Sequence, residues 1–99
     1  MNATVPGALR AATPVYADPA AAFIATNDFD KPTLVVSRQR VAEAYDALKS
    51  GLGIARIHYA VKANPEPAVI ATLVRKGSGF DAASRAEIGL CLSQGARAC

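Results

Sequence analysis

The chain has 99 residues, 52% hydrophobic and 19% charged, with a net charge of +3 from 11 basic and 8 acidic side chains. This is a globular composition with enough apolar residues for one small core, and it excludes a solvated polar tail. The basic residues are spread out and Trp is absent, which disfavours nucleic acid as a partner, while the apolar run Ala20 to Ala25 is too short for a membrane span and no secretory leader is evident.

A cytoplasmic protein is therefore the expectation. Cys91 and Cys99 do not amount to a disulfide framework, and neither stands in metal-ligand spacing with His58, so no metal is expected. Residues 1–19 have no clear period and read as a lead-in. Asp18-Pro19 resembles a helix start, with a short helix over Ala20 to Ala25. Thr33 to Ser37 is a β-branched run that reads as a strand. From Arg38 the pattern turns helical, with Val41, Tyr45, Leu48 and Leu52 as the apolar stripe, Ser37 as cap and Gly51 and Gly53 at the end. Glu43, Asp46 and Lys49 fall off that stripe and are expected in solvent.

Ile57 to Lys62 reads as a strand, closed by Asn64-Pro65. Alternation along it puts His58, Ala60 and Lys62 on one face, with Tyr59 and Val61 on the other. His58 is expected to pack in the core, and Asn64 to organise the turn. A helix follows from near Pro65 or Glu66, with Val69, Ile70, Leu73 and Val74 inward and Gly77 at its end. Gly79 to Ala83 reads as a second strand. Ser84 and Glu87 then form a capping box for a helix carrying Ile88, Leu90, Cys91 and Leu92, which ends at Gly95. Strand, helix, strand, helix with short connections is the pattern of an α/β protein with a parallel sheet. Lys62 and Asp81 then fall at the carboxyl ends of neighbouring strands, about 4.8 Å apart, where one centre can be reached by both.

The segment Tyr59-Ala60-Val61-Lys62-Ala63-Asn64 resembles the cofactor-lysine motif of the barrel-type, fold type III, pyridoxal-phosphate decarboxylases. Gly77-Ser78-Gly79-Phe80-Asp81-Ala82-Ala83-Ser84-Arg85-Ala86-Glu87-Ile88 resembles the strand-to-helix motif that follows it in that family. The clear resemblance runs from about Pro32 to Arg97.

The resemblance implies the first two βα units of a (β/α)8 barrel over residues 38–99, preceded over residues 1–37 by a lead-in and a strand of a separate β-sheet domain. A whole barrel needs about 250 residues, so the chain is expected to be an amino-terminal fragment of a longer enzyme, inactive alone and homodimeric when complete. Lys62 is the implied Schiff-base lysine of pyridoxal 5′-phosphate, with Asp81 beside it as a catalytic and cofactor-binding carboxylate. Ala60 makes room for the ring and Glu87 stands near the cofactor. The ring-stacking histidine, the phosphate-binding turn and the acid on the pyridine nitrogen are expected after residue 99. The implied reaction is decarboxylation of a basic L-amino acid, a small molecule: ornithine to putrescine first, in polyamine biosynthesis, with lysine close behind.

Diaminopimelate and arginine decarboxylases are alternatives within the family; Arg85-Ala86 stands where the diaminopimelate branch more often has a glycine pair. A non-catalytic pyridoxal-phosphate homeostasis barrel is the alternative outside it, and a silent homologue that pairs with an active subunit is a third. The wording around Lys62 disfavours the second, and retention of Lys62 and Asp81 disfavours the third.

Overall fold

A computed structural model describes residues 18–98. By its internal contacts the chain divides into two compact units, Met1–Ser37 and Arg38–Cys99. The expected lead-in before residue 18, and Cys99, lie outside the described residues.

In the first unit α1 spans Pro19–Thr26. Asp18 caps it, its Oδ1 accepting the Ala20 N–H at 3.0 Å, and Pro19 occupies the first turn, where a missing N–H costs nothing. Asn27 closes it by donating from Nδ2 to the Phe23 carbonyl at 2.8 Å. Thr33 to Ser37 is not a strand. A β-branched run becomes one only when a neighbouring strand takes its N–H and C=O groups, and the described sheet consists of two strands from the second unit.

The second unit holds α2 (Arg38–Leu52), β1 (His58–Ala60), a 3-10 turn (Val61–Ala63), α3 (Pro67–Arg75), β2 (Gly79–Asp81) and α4 (Arg85–Ser93). The two strands pair in parallel, with His58 opposite Gly79, Tyr59 opposite Phe80 and Ala60 opposite Asp81. Both are shorter than the sequence predicts: β1 stops before Lys62 and β2 before Ala83.

The helix ends are set locally. Gly51 lies inside α2, and Gly53, at φ +62°, is where that helix stops. Glu66 caps α3, its carboxylate accepting the Ala68 N–H at 3.3 Å, so the helix begins at Pro67, just after both expected starts. Gly77 (φ +84°) and Gly95 (φ +100°) sit in the left-handed region that side chains resist. Each closes a Schellman motif: Gly77 and Ser78 donate to Val74 and Leu73, and Gly95 and Ala96 to Leu92 and Cys91. At the start of α4 the Ser84 Oγ accepts the Glu87 N–H at 3.2 Å. Replacing Ser84 with Ala should cost about 1 kcal/mol, measurable as a lower denaturant midpoint at constant m value.

The core lies on one side of the sheet. Val61 and Ile70 are fully buried and Cys91 nearly so, with Tyr59, Val74, Phe80, Ala82, Leu90 and Ala96 packed around them. The Tyr59 and Phe80 rings meet edge to face at 6.4 Å, as expected of register partners on one face. Thr72 is also buried, its hydroxyl donating to the Ala68 carbonyl at 2.9 Å. Burial pushes the Cys91 thiol above its ordinary range, with Glu87 adding to the effect; the side chain is a small core hydrophobe, as the sequence indicates.

Two expected apolar stripes are only half used. Val41 and Tyr45 of α2 and Leu90 of α4 turn inward, whereas Leu48, Leu52, Ile88 and Leu92 are exposed. Lys49, expected in solvent, is half-buried and donates to the Ala55 carbonyl at 2.8 Å, fastening the end of α2 to the segment leading into β1. Among the described residues no helix is long and apolar enough to cross a membrane.

Candidate active site

The chain turns sharply just after β1, and the turn is held from both sides. Val61, its first residue, is sunk in the core. Beyond it, the Tyr59 hydroxyl donates to the Asn64 carbonyl at 3.0 Å, and the Asn64 Oδ1 accepts the Glu66 N–H at 3.1 Å. Asn64 thus organises the turn as its residue type suggests. Burial pushes the Tyr59 phenol above its usual range, which keeps it a donor.

Lys62 is the middle residue of this turn, not the last residue of the strand. The strand alternation that would align it with His58 and Ala60 ends at Ala60, because the buried Val61 and the pinned Asn64 wind the backbone. Lys62 is exposed, just past the carboxyl end of β1, on a short and fixed piece of backbone.

Asp81 is the last residue of β2, exposed and directly opposite Ala60. A strand spacing of about 4.8 Å separates the two backbones. Neither Lys62 nor Asp81 has an ion pair or side-chain hydrogen bond among the described residues. Glu87, half-buried in the first turn of α4, reaches back with Oε1 to accept the Ala83 N–H at 2.6 Å. This is one residue further back than a capping box requires. The bond ties down the loop that leaves Asp81, so the backbone around that carboxylate is held from the α4 side.

His58 is not a core histidine. Tyr59 and Phe80 face the helices, so His58, Ala60, Gly79 and Asp81 share the opposite face of the pleat. His58 is exposed there, its ring lying over Gly79. A Cβ on Gly79 would stand 2.7 Å from His58 Nδ1. Gly79→Ala should therefore swing the imidazole into solvent at a cost of at most about 1 kcal/mol. That cost should vanish in a His58→Ala background, a coupling readable from a double-mutant cycle.

At this end of the sheet the Asp81 carboxylate stands opposite the methyl side chain of Ala60, and the Lys62 amine follows two residues after Ala60; neither charged group has a partner among the described residues. A flat aldehyde-bearing cofactor requires an amine to hold it covalently, an anion to orient that amine, and a neighbour too small to obstruct the ring. The residues present fit pyridoxal phosphate. The part missed in the sequence is Tyr59, whose hydroxyl fixes the lysine turn; its distance in sequence from Asn64 gives no hint of that bond.

The second unit is a parallel α/β unit with an exposed lysine just past the carboxyl end of its first strand. Residues 38–99 match the family described as "Pyridoxal-dependent decarboxylase, pyridoxal binding domain", and the chain belongs to that family. Its relatives include the chloroplastic ornithine decarboxylase of Nicotiana glutinosa, 44% identical over 68 residues, 69% of this chain and 16% of that protein. The ornithine decarboxylase of Leishmania donovani is 37% identical over 65 residues, covering 66% of this chain and 9% of that protein. The lysine/ornithine decarboxylase of Selenomonas ruminantium is 42% identical over 57 residues, covering 58% and 14% respectively. The chain thus spans about a sixth or less of the length of these relatives. No solved structure was found to match it.

Proposed function

We propose that this chain is part of a carboxy-lyase that decarboxylates a basic L-amino acid, ornithine first and lysine second, with pyridoxal phosphate held by Lys62. The observation that carries the reading is the parallel register of β1 and β2. It pairs Asp81, the last residue of β2, with Ala60, the last of β1, and Lys62 follows Ala60 in the next turn, which supports one centre for both side chains. In the proposal, residues 38–99 are the first two βα units of a (β/α)8 barrel and residues 1–37 precede it as a separate unit. Parallel strands joined through α3, with reactive groups at their carboxyl ends, support that arrangement. The ornithine assignment is supported by the relatives, two of them ornithine decarboxylases and one a lysine/ornithine decarboxylase. The homodimer and the cytoplasmic location belong to the proposal as well.

When bound, pyridoxal phosphate supplies the conjugated ring that accepts the electron pair left at the α-carbon as carbon dioxide departs. Lys62 Nζ would be the amine that holds the cofactor, and, once free, it would be placed to carry a proton. The Asp81 carboxylate orients that nitrogen and balances its charge once it is an ammonium. Ala60 leaves the ring its space. Glu87 would stand near the cofactor, and its bond to the Ala83 N–H fastens the loop after Asp81. The 99-residue chain is expected to be inactive alone, because a complete barrel requires about 250 residues.

The test uses the longest protein that contains this chain. Carbon dioxide release is measured from ornithine, lysine, arginine and diaminopimelate, with ornithine expected to be fastest. Borohydride reduction and digestion should leave the pyridoxyl group on the peptide containing Lys62. A tag on another peptide overturns the lysine assignment, and release from none of the four substrates overturns the reaction.

A further inference from the structure

Away from Lys62, a cleft of about 550 Å³ opens between α2 and α3, lined by Arg38, Gln39, Ala42, Thr72, Arg75 and Lys76. It is remote from the proposed cofactor site by topology. Lys62 and Asp81 lie past the carboxyl ends of the strands, whereas Thr72 to Lys76 lead through Gly77-Ser78 into the amino end of β2.

The lining carries positive charge without negative charge. None of its residues is acidic, and the nearby acids are already engaged. Asp46 holds Lys76 at 2.8 Å, while Glu43 accepts from Gln39 at 3.0 Å and from Arg40 at 3.2 Å. Arg38 has no ion pair among the described residues, and Arg75 only donates to the Thr72 hydroxyl at 3.4 Å. Both guanidinium groups are exposed.

Arg38 is also the first residue of α2, whose first turn contains no acidic residue. A cation there opposes the positive end of the helix dipole, an unfavourable placement that a bound anion would reverse. The cleft volume falls within the range of about 300–1,000 Å³ usual for small-molecule sites. A guanidinium is a fork suited to phosphoryl oxygens, and here one fork comes from each helix.

We propose that this cleft binds a phosphoanhydride, either inorganic pyrophosphate or the diphosphate of a nucleotide, with Arg38 and Arg75 as its two forks. The site is separate from the cofactor's and needs no part of the decarboxylation reading.

The protein containing this chain is saturated with pyridoxal phosphate, so that the cofactor site is filled. It is then titrated at constant ionic strength with orthophosphate, pyrophosphate and ADP by calorimetry. Pyrophosphate should bind saturably and raise the melting temperature. Arg38→Ala/Arg75→Ala should weaken that binding roughly tenfold or more, while Arg56→Ala, an exposed arginine outside the cleft, should leave it unchanged. ADP binding as tightly as pyrophosphate identifies a nucleotide source, and pyrophosphate binding alone an inorganic one. If circular dichroism shows the alanine variant unfolded, Arg38→Lys/Arg75→Lys keeps the charge and removes the forks, and weaker binding is again expected. The proposal is overturned if none of the three probes binds saturably, if orthophosphate binds as tightly as pyrophosphate, or if the folded double variant binds as the parent does.

Discussion

Lys62→Ala should abolish decarboxylation by the complete enzyme, lowering kcat by roughly 10³-fold or more, as expected when a group that forms a covalent bond in catalysis is removed. The same variant should lose borohydride-dependent labelling of the peptide. Stability should hardly change, within about 0.5 kcal/mol, because an exposed side chain with no partner leaves nothing unsatisfied when it goes. That separation gives the experiment its force. A fall in activity with an unchanged denaturation midpoint cannot come from unfolding. Lys62→Arg retains the charge but not a nucleophilic amine, and should be as inactive as the alanine variant. Lys31→Ala, another exposed lysine, serves as the control and should leave both readouts unchanged. Substantial activity in Lys62→Ala would dismiss this side chain from the chemistry.

The order of elements in the second unit was legible because its signals are local. Ser84 is followed by Glu87, Gly77 and Gly95 mark two helix ends, and the inward stripe of α3 recurs at helical spacing; each depends on residues within a turn of one another. The end of β1 was not legible for the converse reason. Tyr59-Ala60-Val61-Lys62 reads as an unbroken strand by composition, and what interrupts it is the burial of Val61 against Ile70 and Cys91 together with the Tyr59–Asn64 bond. Those are consequences of packing.

His58 shows the same limit. Alternation assigns it correctly to the face of Ala60, but which face meets the helices is decided by Tyr59 and Phe80 packing on the core. Thr33 to Ser37 has strand composition but is not a strand, so propensity alone overstates it. The amine and the carboxylate of the candidate site could be named from their motifs. That the carboxylate pairs across the sheet with Ala60, two residues before the amine, required the register.

Ile70→Ala should destabilise the second unit by about 2–5 kcal/mol, the usual cost of removing a fully buried branched side chain and leaving a cavity. Small domains are stable by only about 5–15 kcal/mol, so this is a large share of the whole. The site should suffer too. Ile70 packs with Val61, and Val61 begins the turn that carries Lys62. A cavity beneath Val61 loosens one of the two anchors of that turn and leaves only the Tyr59–Asn64 bond. Ile70→Val removes one methylene and should cost about 0.5–1.5 kcal/mol. Ile54→Ala, at a residue 101% exposed, should stay within about 0.5 kcal/mol. Chemical denaturation with a constant m value checks all three. A midpoint for Ile70→Ala no lower than that for Ile54→Ala would mean that α3 does not pack beneath the lysine turn, and the physical basis for a fixed Lys62 would go with it.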